Sequence, residues 1–96
     1  MPAGYMIGNI TITDPESFAE YGKRVPETVA AFGGTYVVRG GTPEKIEGDY
    51  EPVRIVVLQF ESVEKAREWY NSEMYAPLKE MRMKASKGDL YFVEGV

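Results

Sequence analysis

The sequence predicts an α+β fold in the order β-α-β-β-α-β, with one antiparallel sheet and both helical stretches on a single face. Three observations carry this. Four short runs, Tyr5–Thr13, Thr35–Gly40, Val53–Phe60 and Leu90–Gly95, are rich in β-branched and aromatic residues and read as strands. The two stretches between the outer pairs repeat apolar residues every three or four positions, the period of a helix with one buried face. The chain has 96 residues, enough for one small domain over residues 1–96. Right-handed β-α-β crossovers then leave both helices on the same side, which is the ferredoxin-like arrangement.

The elements follow in order. After the first strand, "TDPESF" opens a helix: Asp14 can cap it with Pro15 at the first position, and Thr13 with Glu16 is a competing capping box. Phe18, Tyr21, Val25, Val29 and Phe32 form its inner stripe, while Glu16, Glu20, Lys23 and Glu27 face water. Pro26 sits inside this helix, cannot bond the carbonyl of Gly22, and predicts a kink. Gly33 or Gly34 ends it. "TYVVRG" is the second strand, with Gly40 and Gly41 placed for a bulge or a close backbone approach. "TPEKIEGDYEP" is a turn-rich connection in which Lys45–Glu47 can extend the strand. Val53–Phe60 is nearly continuous in apolar residues, as in a central strand. Ser62 caps a helical segment with Val63, Ala66 and Tyr70 inward. After the break at "NSE", Ser72 caps another with Met74, Leu78, Met81 and Ala85 inward, and Gly88 ends it.

The strands are apolar on both alternating faces. Tyr5 and Ile7 oppose Met6, Ile10 and Ile12, and Ile55 and Val57 oppose Val56, Leu58 and Phe60. Helices cover one face only, so the other exposes an apolar patch that a monomer rarely tolerates. A two-fold homodimer, sheet against sheet, is the expected remedy.

Composition narrows the function. The net charge is −4 with no basic run, which disfavours nucleic acid as a partner. No apolar run is long enough to span a bilayer, and "MPAGYMIGNI" lacks the features of a signal peptide, so a cytoplasmic protein with no membrane partner is expected. The sequence contains no cysteine, and therefore no disulfide, thiolate nucleophile, iron–sulfur cluster or cysteine-bound zinc. It contains no histidine, the commonest metal ligand and general base, and no Ser-His-Asp triad can form. No metal and no cofactor are expected.

Arg39 poses the sharpest question, because it ends a strand-like run beside two glycines. A guanidinium keeps its charge, so it must reach water, pair with an acid, or hold an anionic ligand. Tyr21, Arg24 and Thr28 flank the apolar stripe of the first helix. Trp69, Tyr75 and Arg82 flank that of the later ones, with Asn71 and Ser72 at the break. These can converge with Arg39 in a pocket between helices and sheet, mostly apolar and aromatic with a few donors. Arginines there favour a carboxylate or enolate, and the aromatics favour a planar ligand. The plainer alternatives are core or interface aromatics and arginines paired with acids of either chain. The glycine pairs lack the spacing of a P-loop or dinucleotide fingerprint.

"TDPESFAEYGKRVPETVAAFGGTYVVRGG" and "VVLQFESVEKAREWYNSEMYAPLKEMR" resemble a bacterial family of short proteins classed as a domain of unknown function, within the dimeric α/β-barrel superfamily. "F-G-G", "V-R-G-G" and "W-Y-N-S" with a following tyrosine carry the resemblance, which runs from Tyr5 to Gly95. It implies a homodimer in which two ferredoxin-like chains close a barrel. The superfamily includes cofactor-free monooxygenases, lactone isomerases and heme-binding dismutases; the missing histidine counts against the heme branch. The resemblance supplies no reaction, since fold does not transfer chemistry. One expectation is a homodimer that binds a small aromatic or anionic molecule and acts as a cofactor-free monooxygenase or isomerase. Arg24 and Arg39 would then stabilise an enolate, with Tyr21 or Tyr75 carrying the proton. The other is a non-enzymatic binding or scaffold domain with its arginines in inter-subunit salt bridges.

Overall fold

The computed structural model describes residues 2–96. The chain runs β1 (Gly4–Ile12), α1 (Pro15–Ala31), β2 (Thr35–Gly41), β3 (Ile55–Phe60), α2 (Val63–Tyr70), α3 (Ala76–Ala85) and β4 (Ser86–Glu94). The strands form one antiparallel sheet in the order β2-β3-β1-β4. This is the predicted ferredoxin-like topology, with the second helical stretch split in two.

Local chemistry sets the helix ends. Asp14 caps α1 by accepting from the Ser17 N–H at 3.3 Å, so aspartate rather than Thr13 starts the helix. Ser62 does the same for α2 through the Lys65 N–H at 3.1 Å. Gly33, with φ +73°, ends α1. Ser72 bridges α2 and α3, donating to the Trp69 carbonyl and accepting from the Tyr75 N–H.

Three expectations change. The connection around Lys45–Glu47 forms no strand; Asn9 instead holds the end of that loop, its Oδ1 accepting from the N–H groups of Val53 and Arg54. Gly88 does not end a helix. Helix α3 stops at Ala85, and Gly88 lies in β4 opposite Ile10. Met74 is exposed, because α3 begins only at Ala76; its buried stripe is Leu78, Arg82 and Ala85.

The core lies between the helices and one face of the sheet. Met6, Ile10, Leu58 and Phe60 meet Phe18, Val25 and Val29 of α1 and Ala66 and Trp69 of α2. The opposite face carries Ile7, flanked in register by Val57 on β3 and Tyr91 on β4. Tyr91 is 59% exposed and Val93 45%, against 1% for Leu58 on the helix side. The two apolar faces read from the sequence are both present, and only one is covered.

Candidate functional site

A bulge in β2 decides which side chains enter the space under the helices. Tyr36 pairs with Leu58, Val38 with Val57, and Arg39 with Val56. Val37 is the extra residue. Directly opposed residues point to the same face, so Tyr36 and Arg39 both join the core-side face of Leu58 and Val56, although three positions separate them. A second irregularity falls between Arg39 and Gly41. Gly40 there has φ +70°, and a Cβ on it would run into the Arg54 guanidinium. Glycine thus clears the path for Arg54, which shares the parity of Val56 and Leu58.

These placements open a cleft between α1, the sheet and the α2–α3 junction, with about 580 Å³ of empty space including its open mouth. Its buried end is built from Tyr21, Tyr75, Trp69 and Arg82; the half-exposed Tyr36 and Arg54 and the exposed Arg39 stand toward the mouth. The Trp69 and Tyr75 rings lie 4.2 Å apart between centroids, and Phe60 backs the indole at 5.6 Å. Thr28 orients that indole: its Oγ1 accepts from Trp69 Nε1 at 3.0 Å and donates to the Val25 carbonyl at 2.7 Å.

The polar groups of the cleft are mainly donors. Three arginines line it, Arg39, Arg54 and Arg82, and no aspartate or glutamate does. Among the described residues every ion pair uses a lysine, so no arginine is neutralised by an acid. Arg39 stacks over Tyr36 at 4.8 Å and donates through Nη2 to the Gly22 carbonyl at 2.8 Å. Arg54 lies 5.1 Å over the Phe18 ring. Arg82 is only 8% exposed; its Nε donates to Tyr75 Oη at 3.2 Å, and its Nη2 is buried with no partner. An unpartnered buried cationic donor is costly to keep.

Tyr21 and Tyr75 share a hydrogen bond of 2.9 Å between their hydroxyls. The pair holds two phenolic protons and the bond uses one. With Arg82 donating to Tyr75, one O–H remains without a partner in the chain. Burial, reinforced by the neighbouring Tyr75, pushes the Tyr21 phenol far above its ordinary value. Burial likewise raises Tyr36, against the pull of Arg39. The raised value keeps the Tyr21 phenol protonated in the unliganded chain, whereas a tyrosine acting as a base near neutral pH needs a lowered one.

Of the residues singled out from the sequence, Tyr21, Arg39, Trp69, Tyr75 and Arg82 line the cleft, and Thr28 supports it from behind. Arg24 and Asn71 do not. Arg24 is exposed on α1, and Asn71 is exposed where it caps α2 with its backbone. Sequence reasoning missed Arg54, Tyr36, Phe18 and Tyr70. Arg54 carried a usable signal, its even spacing from Val56, Leu58 and Phe60.

Fold and register define a ferredoxin-like chain. The chain belongs to the family described as a domain of unknown function, DUF1330, which it matches over residues 3–96. A protein of unknown function from Rhodopseudomonas palustris is similar in structure, with a TM-score of 0.78 at 16% identity, over 99% of this chain and 83% of that one. SnoaB, a cofactor-independent oxygenase from Streptomyces nogalater, is similar with a TM-score of 0.68 at 12% identity, over 97% and 92% of the two chains. At these identities the likeness is one of fold. No curated protein matches the sequence. Among the described residues no helix is long and apolar enough to cross a membrane.

Proposed function

We propose that the cleft binds a small planar anion, and that the protein works as a cytoplasmic homodimer closed through its uncovered sheet face. One observation carries the ligand reading: three arginines line the cleft without a carboxylate, and the most buried of them has an unsatisfied nitrogen. An oxyanion would complete this donor set. The row of Val57, Ile7 and Tyr91 supports the dimer, because a second copy would remove that patch from water.

The reaction this site supports best is the stabilisation of an enolate or phenolate, which then meets dioxygen in a cofactor-free monooxygenation or is reprotonated elsewhere in an isomerisation. The resemblance in fold to a cofactor-independent oxygenase agrees with the first. With Tyr21 held neutral, these tyrosines and arginines lower the pKa of a bound enol rather than supply a base.

Trp69 is the sole tryptophan and forms part of the cleft wall, so its emission reports occupancy directly. Titration with naphthoate is expected to quench it in a saturable way. Arg39→Ala is expected to weaken that binding and leave the dimer intact in sedimentation. Loosening of the dimer by Arg39→Ala, with no naphthoate bound by the parent protein, would instead establish the scaffold reading with inter-subunit salt bridges. A stable monomer on dilution would remove the dimer.

A further inference from the structure

The cleft is not uniformly cationic. Its buried end offers Arg82 Nη2 and one spare phenolic O–H of the Tyr21–Tyr75 pair. The Arg82 Nε is already committed to Tyr75, so the side-on fork that grips a carboxylate through Nε and Nη2 is taken. What remains there suits one oxygen. The mouth differs. The guanidinium carbons of Arg39 and Arg54 lie over the rings of Tyr36 and Phe18, at 4.8 and 5.1 Å from the centroids, and neither guanidinium is paired with an acid. Arg39 commits only Nη2, to the Gly22 carbonyl. Two forked cations toward solvent suit a carboxylate.

Resting on the reading that the cleft binds a planar anion, we infer that its ligand carries two separate acidic groups. A carboxylate is held at the mouth by Arg39 and Arg54, and a single phenolic or enolic oxygen is held at the buried end by Arg82 and the Tyr21–Tyr75 pair. The substrate class is thus a hydroxylated aromatic, or enolic, carboxylic acid. Charge agrees with this: a dianion offsets two of three cationic charges in a cleft lined by no acid, and a monoanion only one. The buried hydroxyl gives up its proton to solvent on binding, since the Tyr21 phenol, kept protonated by burial, does not accept it.

Three probes separate the two ends: naphthoate, naphthol, and a hydroxynaphthoate with its groups at opposite ends of the ring system. Each is titrated into the wild-type protein with Trp69 emission as the readout. Hydroxynaphthoate is expected to bind roughly ten- to a hundredfold more tightly than either single-ended probe, the scale of one charge-assisted hydrogen bond. Its bound absorption spectrum at neutral pH is expected to be that of the naphtholate. Arg82→Met should abolish the advantage over naphthoate, and Arg39→Met with Arg54→Met the advantage over naphthol. Naphthoate and hydroxynaphthoate binding equally, with the hydroxyl still protonated, would overturn the two-ended ligand and leave the anion cleft standing. No binding by either carboxylate would overturn the anion cleft itself. The spectrum requires no variant, so it decides the matter even where a substitution prevents folding.

Discussion

Arg39 donates to the backbone carbonyl of Gly22, and Gly22 stands four residues before Pro26. In an uninterrupted helix that carbonyl would accept from the N–H of residue 26, which proline lacks. Arg39 therefore supplies, from the sheet, the hydrogen bond that Pro26 withholds. Pro26→Ala restores the helical donor and competes for the same acceptor. The destabilisation caused by Arg39→Met is expected to be about 1 kcal/mol smaller in a Pro26→Ala background, the worth of one such bond. Urea unfolding of the four proteins measures this. An equal cost in both backgrounds would mean that the two residues are independent.

Arg82 illustrates a group kept against stability. Replacing a buried, unneutralised guanidinium by an apolar side chain of similar length removes its desolvation cost and its orphaned Nη2. Arg82→Met is expected to raise the unfolding free energy by about 1 kcal/mol or more, while removing the tighter binding of hydroxynaphthoate over naphthoate. A combined gain of stability and loss of binding marks a functional residue. Clear destabilisation would instead show that the Arg82–Tyr75 bond serves chiefly to hold the fold together.

The buried Tyr21 phenol sets an alkaline limit. Tyrosine is neutral when protonated, and its folded-state value lies above that of the unfolded chain. The unfolded chain thus loses its proton first. The stabilisation is complete below about pH 10, the unfolded value, and is lost as pH rises further. Stability should fall by about 1.4 kcal/mol per pH unit above that point for this one group, with Tyr36 adding to the slope. Denaturation series between neutral and strongly alkaline pH will show the fall, and Tyr21→Phe should flatten it. An unchanged slope in that variant would assign the effect elsewhere.

Gly40 is strained for any other residue. Gly40→Ala places a side chain at φ +70°, at a cost of about 1–2 kcal/mol, and pushes Arg54 from its seat over Phe18. Stability and naphthoate affinity should fall together. Gly48→Ala serves as the comparison, since Gly48 also has positive φ but open space around it. That variant should lose stability alone, and loss of affinity in both would detach the effect from Arg54.

Much of the fold was legible in the sequence because each element follows a local rule. The stripe from Phe18 to Val29 and the caps Asp14 and Ser62 need only neighbours within a turn. The errors arose where long-range pairing overrides local signals. Gly88 looked like a helix stop, yet pairing with β1 extends β4 back to Ser86. For the site, the aromatic and arginine types were visible and their directions were not. Arg39 turns inward only because Val37 is bulged, a fact of register with β3. Arg54 falls within the run Val53–Phe60 that reads as a strand, and alternation along a strand does not say which face the helices cover. Arg24 and Asn71 had suitable spacing, but spacing along a helix does not say which flank meets the sheet.

The same irregularities in β2 bear on solubility. β2 and β4 are the two borders of the sheet. A border with regularly spaced amide and carbonyl groups invites stray polypeptide to zip onto it. Two breaks within seven residues leave β2 a poor template, so the kinks that aim Arg39 and Arg54 also guard that rim against clumping. β4 pairs with β1 through nine residues without a break, and its far side is where an incoming strand would find a matching ladder.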